Sequence, residues 1–146
     1  MLIKLKNKDT LIVDDFKFKC CVGKNGLKRN KIEGDKSTPR GKFSLGKLYY
    51  RSDRVNKPIT KLKLKRINKN MGWSTDIRKN YNSEIIINKK IKHEKLFRKD
   101  FKYDYLIVIN YNTKKKLQTE VAQYLFILQK TLIRQQVVLL LRKMIF

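Results

Sequence analysis

The sequence predicts a mainly β domain, sandwich-like or closed into a barrel, followed by a tail that is helical or disordered. In the first 112 residues, short segments alternate apolar with polar side chains, and Gly, Pro, Asn and Asp separate them. From Leu117 to Phe146 these turn-forming residues are absent, and apolar residues recur at helical spacing. We therefore divide the chain into a β domain at 1–112 and an aberrant C-terminal segment at 113–146.

The predicted strands follow one another along the first domain. An apolar run at 11–13 precedes an alternating segment at 16–22, and later strands are expected at the β-branched or alternating segments 43–50, 60–64, 84–87 and 105–109. A short helix is predicted around Ile91 to Lys99, the region that carries His93. The side chains expected to share the core are Phe16, Phe18, Cys20, Phe43, Leu45, Ile107 and Ile109.

The chain is strongly basic, with 37 Lys and Arg against 12 Asp and Glu and a formal net charge of +25. Such a charge favours polyanions, including nucleic acid, anionic lipid and acidic cell-wall polymers. The basic residues are scattered through every segment, however, and Lys, Asn and Ile all have A- and T-rich codons. Codon bias therefore explains the charge without a partner, and nucleic acid is a possible partner that we do not favour.

Other features limit the location and the chemistry. No apolar run approaches the roughly 18 residues of a membrane span, and Lys and Asp interrupt the N-terminal region from Lys4 onward, so no signal peptide is predicted. As translated, the product is expected in the cytoplasm. Cys20 and Cys21 are adjacent, which is poor geometry for a disulfide. No metal site and no cofactor is predicted.

A compact loop is predicted at 33–41, with the sequence E-G-D-K-S-T-P-R-G. Gly34 and Gly41 permit positive φ, Asp35 can accept hydrogen bonds from nearby amides, and Pro39 fixes φ. Taken alone, this segment is an ordinary turn. It follows a C-x-x-G-x-x-G segment, however, and together the two segments resemble a signature of the L,D-transpeptidase family of the YkuD type.

The resemblance continues in order along the chain. It includes Y-Y-R-x-D-R at 49–54, G-W-x-x-D at 72–76 with Y-N after it, E-x-L-x-R-x-D-x-x-Y-D at 94–104 and N-Y-N at 110–112. The matches cover 16–112, about two-thirds of the chain. The positions that match the family's motifs include Glu33, Gly34, Asp35, Thr38, Pro39, Gly41, Tyr50, Arg51, Arg54, Trp73, Asp76, Arg98, Asp100 and Asn110.

The resemblance implies a β-rich domain that crosslinks peptidoglycan stem peptides through a cysteine thiolate. The family supplies its catalytic His and Cys late in the chain, in G-S-x-I-F-x-H and then P-T-x-G-C, and this sequence has neither segment. His93 lies among lysines, and Cys20 lies on the apolar side of a predicted strand, so neither replaces the missing groups. We predict no catalytic residue in this chain and no activity as translated.

A change of reading frame accounts for the loss. Lys114 to Lys116 are encoded by A-rich codons, where a one-base insertion or deletion is easy. One codon choice for Leu117 onward, read one base earlier, gives I-A-N-R-G-S-S-I-F-I-H, and the segment from Ile133 to Leu140 then permits N-P-T-A-G-C-V-A-L. Both missing motifs reappear in order. The alternative explanation is a divergent natural C-terminus.

Two other functions remain open. The chain is a basic polyanion-binding protein if its lysines and the aromatic residues Tyr49, Tyr50 and Trp73 contact an acidic polymer. It is a pseudoenzyme if it binds peptidoglycan without processing it.

Overall fold

The computed structural model describes residues 2–30, 32, 34–111 and 125–127. These residues are mainly β, as predicted, and contain no helix. Their strands form four small sheets, none of which closes into a barrel. The strands are β1 (Ile3–Leu5), β2 (Thr10–Val13), β3 (Phe16–Lys19), β4 (Leu27–Lys28), β5 (Thr38–Pro39), β6 (Leu45–Tyr50), β7 (Leu64–Arg66), β8 (Met71–Ser74), β9 (Glu84–Ile86), β10 (His93–Lys95), β11 (Tyr105–Ile109) and β12 (Leu125–Ile127).

The N-terminal sheet is an antiparallel meander in the order β1-β2-β3. Its second turn contains Asp14 at φ 51°, a conformation that Asp tolerates better than most residues. One face of the sheet buries Leu11, Val13 and Phe18, which alternate with exposed or half-buried residues along the strands. The period of two in the sequence therefore gives this sheet an apolar side and a polar side.

The central sheet has the order β12-β11-β6-β7, with β7 parallel to β6 and the other pairs antiparallel. On one side, Leu48, Tyr50 and Ile107 pack with the apolar side of the N-terminal sheet. On the other side, Tyr49 and Leu106 belong to a second apolar cluster. Burial on both faces explains the continuous apolar runs in β6 and β11, which a one-sided strand would not need.

The third sheet has the order β10-β8-β9 and is antiparallel throughout. Its central strand β8 is buried along its whole length. Met71 and Trp73 of β8 join the second apolar cluster together with Leu96, which follows β10. This sheet brings the G-W-x-x-D segment next to the start of the E-x-L-x-R segment, because Trp73 pairs with Glu94.

Three predictions about the elements need correction. The helix expected around Ile91 to Lys99 is wrong, because His93–Lys95 forms β10 and satisfies its backbone against β8. Phe16, expected in the core, is 37% exposed, because it is the first residue of β3, an edge strand of the sheet, whereas its partner Val13 on the central strand is buried. The prediction of a helical or disordered tail is wrong at Leu125–Ile127, which forms β12 on the edge of β11, and the rest of 113–146 lies outside the described residues.

The remaining core predictions hold to different degrees. Phe18 and Ile107 are buried, and Cys20 and Leu45 are partly buried and pack against the same cluster. Phe43 and Ile109 are half-buried. Phe43 lies edge-on against Tyr111, with the ring centroids 5.3 Å apart.

Candidate functional site

The loop at 34–41 is held against the C-x-x-G-x-x-G segment. Gly23 N donates to Thr38 Oγ1 at 2.8 Å, and Thr38 N donates to Gly26 O at 2.8 Å. These contacts start the parallel pairing of β4 with β5. A Cβ on Gly23 would lie 2.3 Å from the carbonyl oxygen of Lys36, so only glycine permits this close approach of two backbones. The two parts of the first family-like motif therefore form one unit.

Asp35 organises the interior of this loop. Its Oδ1 accepts hydrogen bonds from Ser37 N at 2.9 Å and Ser37 Oγ at 2.7 Å, and its Oδ2 accepts one from Ile32 N at 3.1 Å. Gly34, at φ 80°, supplies the left-handed turn that precedes the aspartate. Pro39 is buried and Gly41 is exposed. Glu33, also predicted as a site residue, lies outside the described residues.

Arg51 joins the Y-Y-R-x-D-R segment to the E-x-L-x-R segment. The residue is only 3% exposed, and its Nη1 donates to the carbonyl oxygen of Arg98 at 2.6 Å. Its Nε and Nη2 bind both carboxylate oxygens of Asp53 at 2.8 and 2.7 Å. Its guanidinium carbon also lies 3.5 Å from the ring centroid of Phe97. The three nitrogens of the planar guanidinium and one of its faces therefore all make contacts.

Arg54 binds the next turn of the same segment. Its Nη1 donates to the carbonyl oxygen of Lys99 at 3.0 Å, and its Nη2 donates to that of Asp100 at 2.8 Å. The same Nη2 lies 2.8 Å from Oδ1 of the buried Asp104. The two arginines thus fix the backbone of 98–100 through carbonyl oxygens that no strand pairing uses.

Arg98 and Asp100 form a bidentate pair on the outer side of this cluster. Arg98 Nη2 lies 2.6 Å from Asp100 Oδ2, and Arg98 Nε lies 2.9 Å from Oδ1. The hydrogen bonds from Arg98 lower the pKa of Asp100 from about 3.8 to about 2, and those from Arg51 do the same to the pKa of Asp53. The Tyr103 hydroxyl donates to Glu94, and burial is the first cause that raises the pKa of this tyrosine.

The G-W-x-x-D segment closes a tight loop onto Y-N. Trp73 Nε1 donates to Asn82 Oδ1 at 3.2 Å, and the backbones of the two segments meet where Asn82 N donates to Ser74 O at 3.0 Å. Asp76 Oδ1 accepts from Arg78 N at 3.0 Å, and that hydrogen bond is the first cause that lowers the pKa of Asp76. Asp76 Oδ2 accepts from Lys92 N at 3.4 Å. Asp76 therefore ties this loop to Lys92, the residue before β10.

Two further site predictions fall at strand ends of the central sheet. The Tyr50 hydroxyl accepts a hydrogen bond from Arg66 Nε at 3.3 Å. Asn110 Nδ2 donates to Ser44 Oγ at 2.9 Å, and Asn110 N donates to Ser44 O at 2.9 Å. Asn110 therefore closes the end of β11 onto the start of β6.

The sequence reasoning missed one ionic group, centred on Glu84. The Tyr49 hydroxyl donates to Glu84 Oε2 at 2.7 Å, and Lys65 Nζ binds Glu84 Oε1. Burial opposes ionisation of Glu84, but these two hydrogen bonds outweigh it and lower the pKa of the carboxyl. The only sequence signal for this contact was the tyrosine pair in Y-Y-R-x-D-R, which does not identify the partner.

The described residues bring no nucleophile and base together. His93 Nδ1 lies 2.6 Å from the carbonyl oxygen of Ile91, and burial raises the pKa of the Cys20 thiol. Cys21 is exposed. Among the described residues, no group of three or more His, Cys, Asp and Glu side chains is placed to hold a metal ion, and no helix there is long and apolar enough to span a membrane.

Comparison with known proteins gives no relative: no family model, no curated protein and no solved structure matches this chain.

Proposed function

We propose that residues 1–112, with motif matches at 16–112, are the N-terminal two-thirds of an L,D-transpeptidase-like domain that acts on peptidoglycan stem peptides, and that the chain is inactive as translated. The observation that carries the proposal is the contact of Arg51 and Arg54 with the backbone of 98–100. Arg51 and Arg54 of one family-like motif bind backbone carbonyl oxygens of a second motif, more than forty positions later in the chain. The two motifs that the resemblance identifies are thus in contact in the fold, which supports the proposal.

The first motif supports the same proposal. Its two parts, the C-x-x-G-x-x-G segment and the loop at 34–41, contact each other through Gly23 and Thr38. Asp35, the acidic residue of the E-G-D match, accepts three hydrogen bonds inside the loop. The matching residues are thus the ones that determine the local structure.

The position of β12 indicates where a histidine restored by the shifted frame would lie. Leu125–Ile127 pairs with β11 at Val108, Ile107 and Leu106. In the shifted frame, F-I-H would occupy these three positions, and the His codon would straddle Phe126 and Ile127. A strand at this edge would then carry the base on the central sheet, whose strands β6 and β11 lead into the Y-Y-R-x-D-R and N-Y-N segments.

The chemistry requires a second restored segment. A thiolate forms a thioester with the donor carbonyl, the bond to the terminal D-residue breaks, and an acceptor amine then displaces the thiolate. The shifted Cys codon straddles Val137 and Val138. In the translated chain, neither this thiol nor the base exists, so acyl transfer has no nucleophile.

The test begins with the coding DNA at Lys114–Lys116. We expect the frame one base earlier to encode G-S-S-I-F-I-H and P-T-A-G-C. A protein expressed in that frame should form a covalent adduct with a carbapenem and exchange the terminal D-residue of a tetrapeptide stem, as read by intact mass. The protein as translated should do neither.

Two controls make this test specific. Cys20 and Cys21 are present in both proteins, so adducts on them reveal nonspecific labelling. Replacing the restored Cys with Ser should abolish the adduct while preserving the fold. DNA that does not encode both motifs would refute the frame change. A folded, restored protein with no adduct and no turnover would refute the family assignment.

A further inference from the structure

One side of the N-terminal sheet carries four lysines. Lys4 of β1 and Lys17 of β3 both flank Ile12 of β2, since Lys4 pairs with Ile12 and Ile12 pairs with Lys17. Residues directly opposite each other in a sheet project from the same face. These two lysines therefore lie on one side of the sheet, with Ile12 between them.

The next set of paired residues across the three strands repeats this arrangement. Thr10 pairs with Lys19, and Lys6 N donates to Thr10 O at 2.9 Å, which continues the register of β1 by one position. Because alternate residues share a face, Lys6 lies on the side of Lys4, and Lys19 lies on the side of Lys17. We call these four side chains the lysine face: Lys4, Lys6, Lys17 and Lys19.

The core fixes which side of the sheet these lysines occupy. Leu11, Val13 and Phe18 point the other way and are buried against the central sheet. All four lysines of the lysine face are exposed. A one-residue slip of any strand would bury lysine and expose the apolar set, so the register is strongly specified.

The strands themselves contribute only positive charge to this side. Between the lysine rows lie only Ile12 and Thr10, both half-buried. The nearby acidic residues Asp9, Asp14 and Asp15 lie in the turns at the sheet's two ends, and Asp9 accepts a hydrogen bond from the Thr10 hydroxyl at 2.6 Å. Within the described part of the chain, no ion pair involves the lysine face.

The four lysines form two parallel rows of charge. Lys4 and Lys6 follow the line of β1, and Lys17 and Lys19 lie on β3. Alternate residues along a strand are about 6.8 Å apart, and the outer strands of a three-stranded sheet are about 9.6 Å apart. We propose that the lysine face binds the two phosphate backbones of double-stranded nucleic acid without reading its sequence. The row separation lies between the widths of the minor groove, about 6 Å, and the major groove, about 12 Å. Long, flexible lysine side chains reach phosphates on both sides of a groove from this separation, and the contacts add up through counterion release.

The composition of the face argues against single-stranded nucleic acid, a lipid surface and readout of base sequence. Phe16 and Phe18 are on the opposite side, so no aromatic ring is offered to stack on unpaired bases, as single-strand binding requires. Ile12 is half-buried between the lysines and gives little apolar area for insertion into a lipid surface. No Arg, Asn or Gln lies between the rows to read base edges.

The experiment measures duplex binding by the full chain as a function of salt, by fluorescence anisotropy with a probe of about 20 bp, long enough to span two helical turns. The variant K4Q/K6Q/K17Q/K19Q is compared with K57Q/K61Q/K69Q/K89Q, which removes the same charge from exposed lysines outside the sheet. With about 0.9 in log–log slope per phosphate neutralised, the first variant should lose a slope of about 3.6 and the second less than about 1. Duplexes of different sequence should bind alike.

A third variant distinguishes loss of charge from misfolding. K4R/K6R/K17R/K19R should retain the wild-type slope, since the charges remain, and all three variants should keep the wild-type circular dichroism spectrum. Equal losses in the two Gln variants would overturn the proposal in favour of net charge alone. Tighter binding to a single strand, or to vesicles of anionic phospholipid, that depends on the same four lysines would overturn the choice of duplex.

Discussion

The side chain of Arg51 donates a hydrogen bond from Nη1 to the carbonyl oxygen of Arg98 at 2.6 Å, across 47 positions of the chain. The guanidinium is buried between Asp53 and the ring of Phe97. A buried arginine is costly unless its donors are satisfied. Here those donors close the loop that joins β10 to β11 onto the end of β6.

Removing this side chain should destabilise the fold. Arg51→Ala should lower the free energy of unfolding by about 2–4 kcal/mol, because a backbone carbonyl and a carboxylate lose their charged partner. Arg51→Lys should lower it by a smaller amount, since an ammonium group cannot reproduce the fork. Urea unfolding measures both. Arg29→Ala, at an exposed position, should change it by less than about 0.5 kcal/mol.

The acid stability of the protein should depend on Asp53 and Asp100. Both have a pKa lowered from about 3.8 to about 2 by arginine hydrogen bonds. The unfolded chain therefore binds more protons between these values, and the stabilisation present above about pH 4 should be lost as the pH falls towards 2. Melting temperature recorded from about pH 5 to about pH 2 tests this. Asp53→Asn and Asp100→Asn should each flatten the profile, and unchanged profiles would contradict the assignment.

Gly23 should be the least replaceable glycine of the first motif. A Cβ there meets backbone atoms at 2.3 to 2.8 Å, and backbone cannot rotate away as a side chain can. Gly23→Ala should cost about 1–3 kcal/mol in unfolding free energy. Gly34→Asn is the matched variant, because a Cβ on Gly34 would have no atom within 4 Å, and Asn tolerates the positive φ of this position. An equal cost for both would contradict the steric explanation.

The two cysteines should differ in reactivity. Burial is the main cause that raises the pKa of the Cys20 thiol, whereas Cys21 is exposed. Because the thiolate is the reactive form, iodoacetamide at about pH 8 should modify Cys21 first. Mass analysis of a digest gives the two rates. Cys21→Ser should leave only the slow reaction, and a fast reaction in that variant would show that Cys20 is accessible.

Local patterns predicted some strands and missed others for physical reasons. β2, β6 and β11 combine apolar runs with flanking turns, so a short stretch of sequence is enough to predict each of them. β8 was missed because it is buried at every position and so shows no alternation. β10 has the sequence H-E-K, and only its pairing with β8 makes it a strand.

The same distinction applies to the candidate site. The family-like residues were found in the sequence, but the carbonyl partners of Arg51 and Arg54 were not, because a backbone acceptor has no sequence signature. The distribution of positive charge is a second example. The lysines at 4, 6, 17 and 19 looked scattered, and only the register of three strands places them on one side of a sheet.

The tail should limit the stability of the translated chain. β12 contributes three backbone pairs to the edge of β11, so Phe126→Pro, which removes a backbone donor, should lower the melting temperature. Expression in the shifted frame should raise the melting temperature by roughly 10 °C or more. Strands that suit the core bury apolar area, which stabilises the fold by roughly 25 cal/mol per Å². Each kcal/mol moves the melting temperature of a domain of this size by several degrees. Differential scanning calorimetry of the three proteins provides the measurement. A translated chain that melts cooperatively at the temperature of the restored protein would show that its own C-terminus completes the fold. The stability argument for a frame change would then fail.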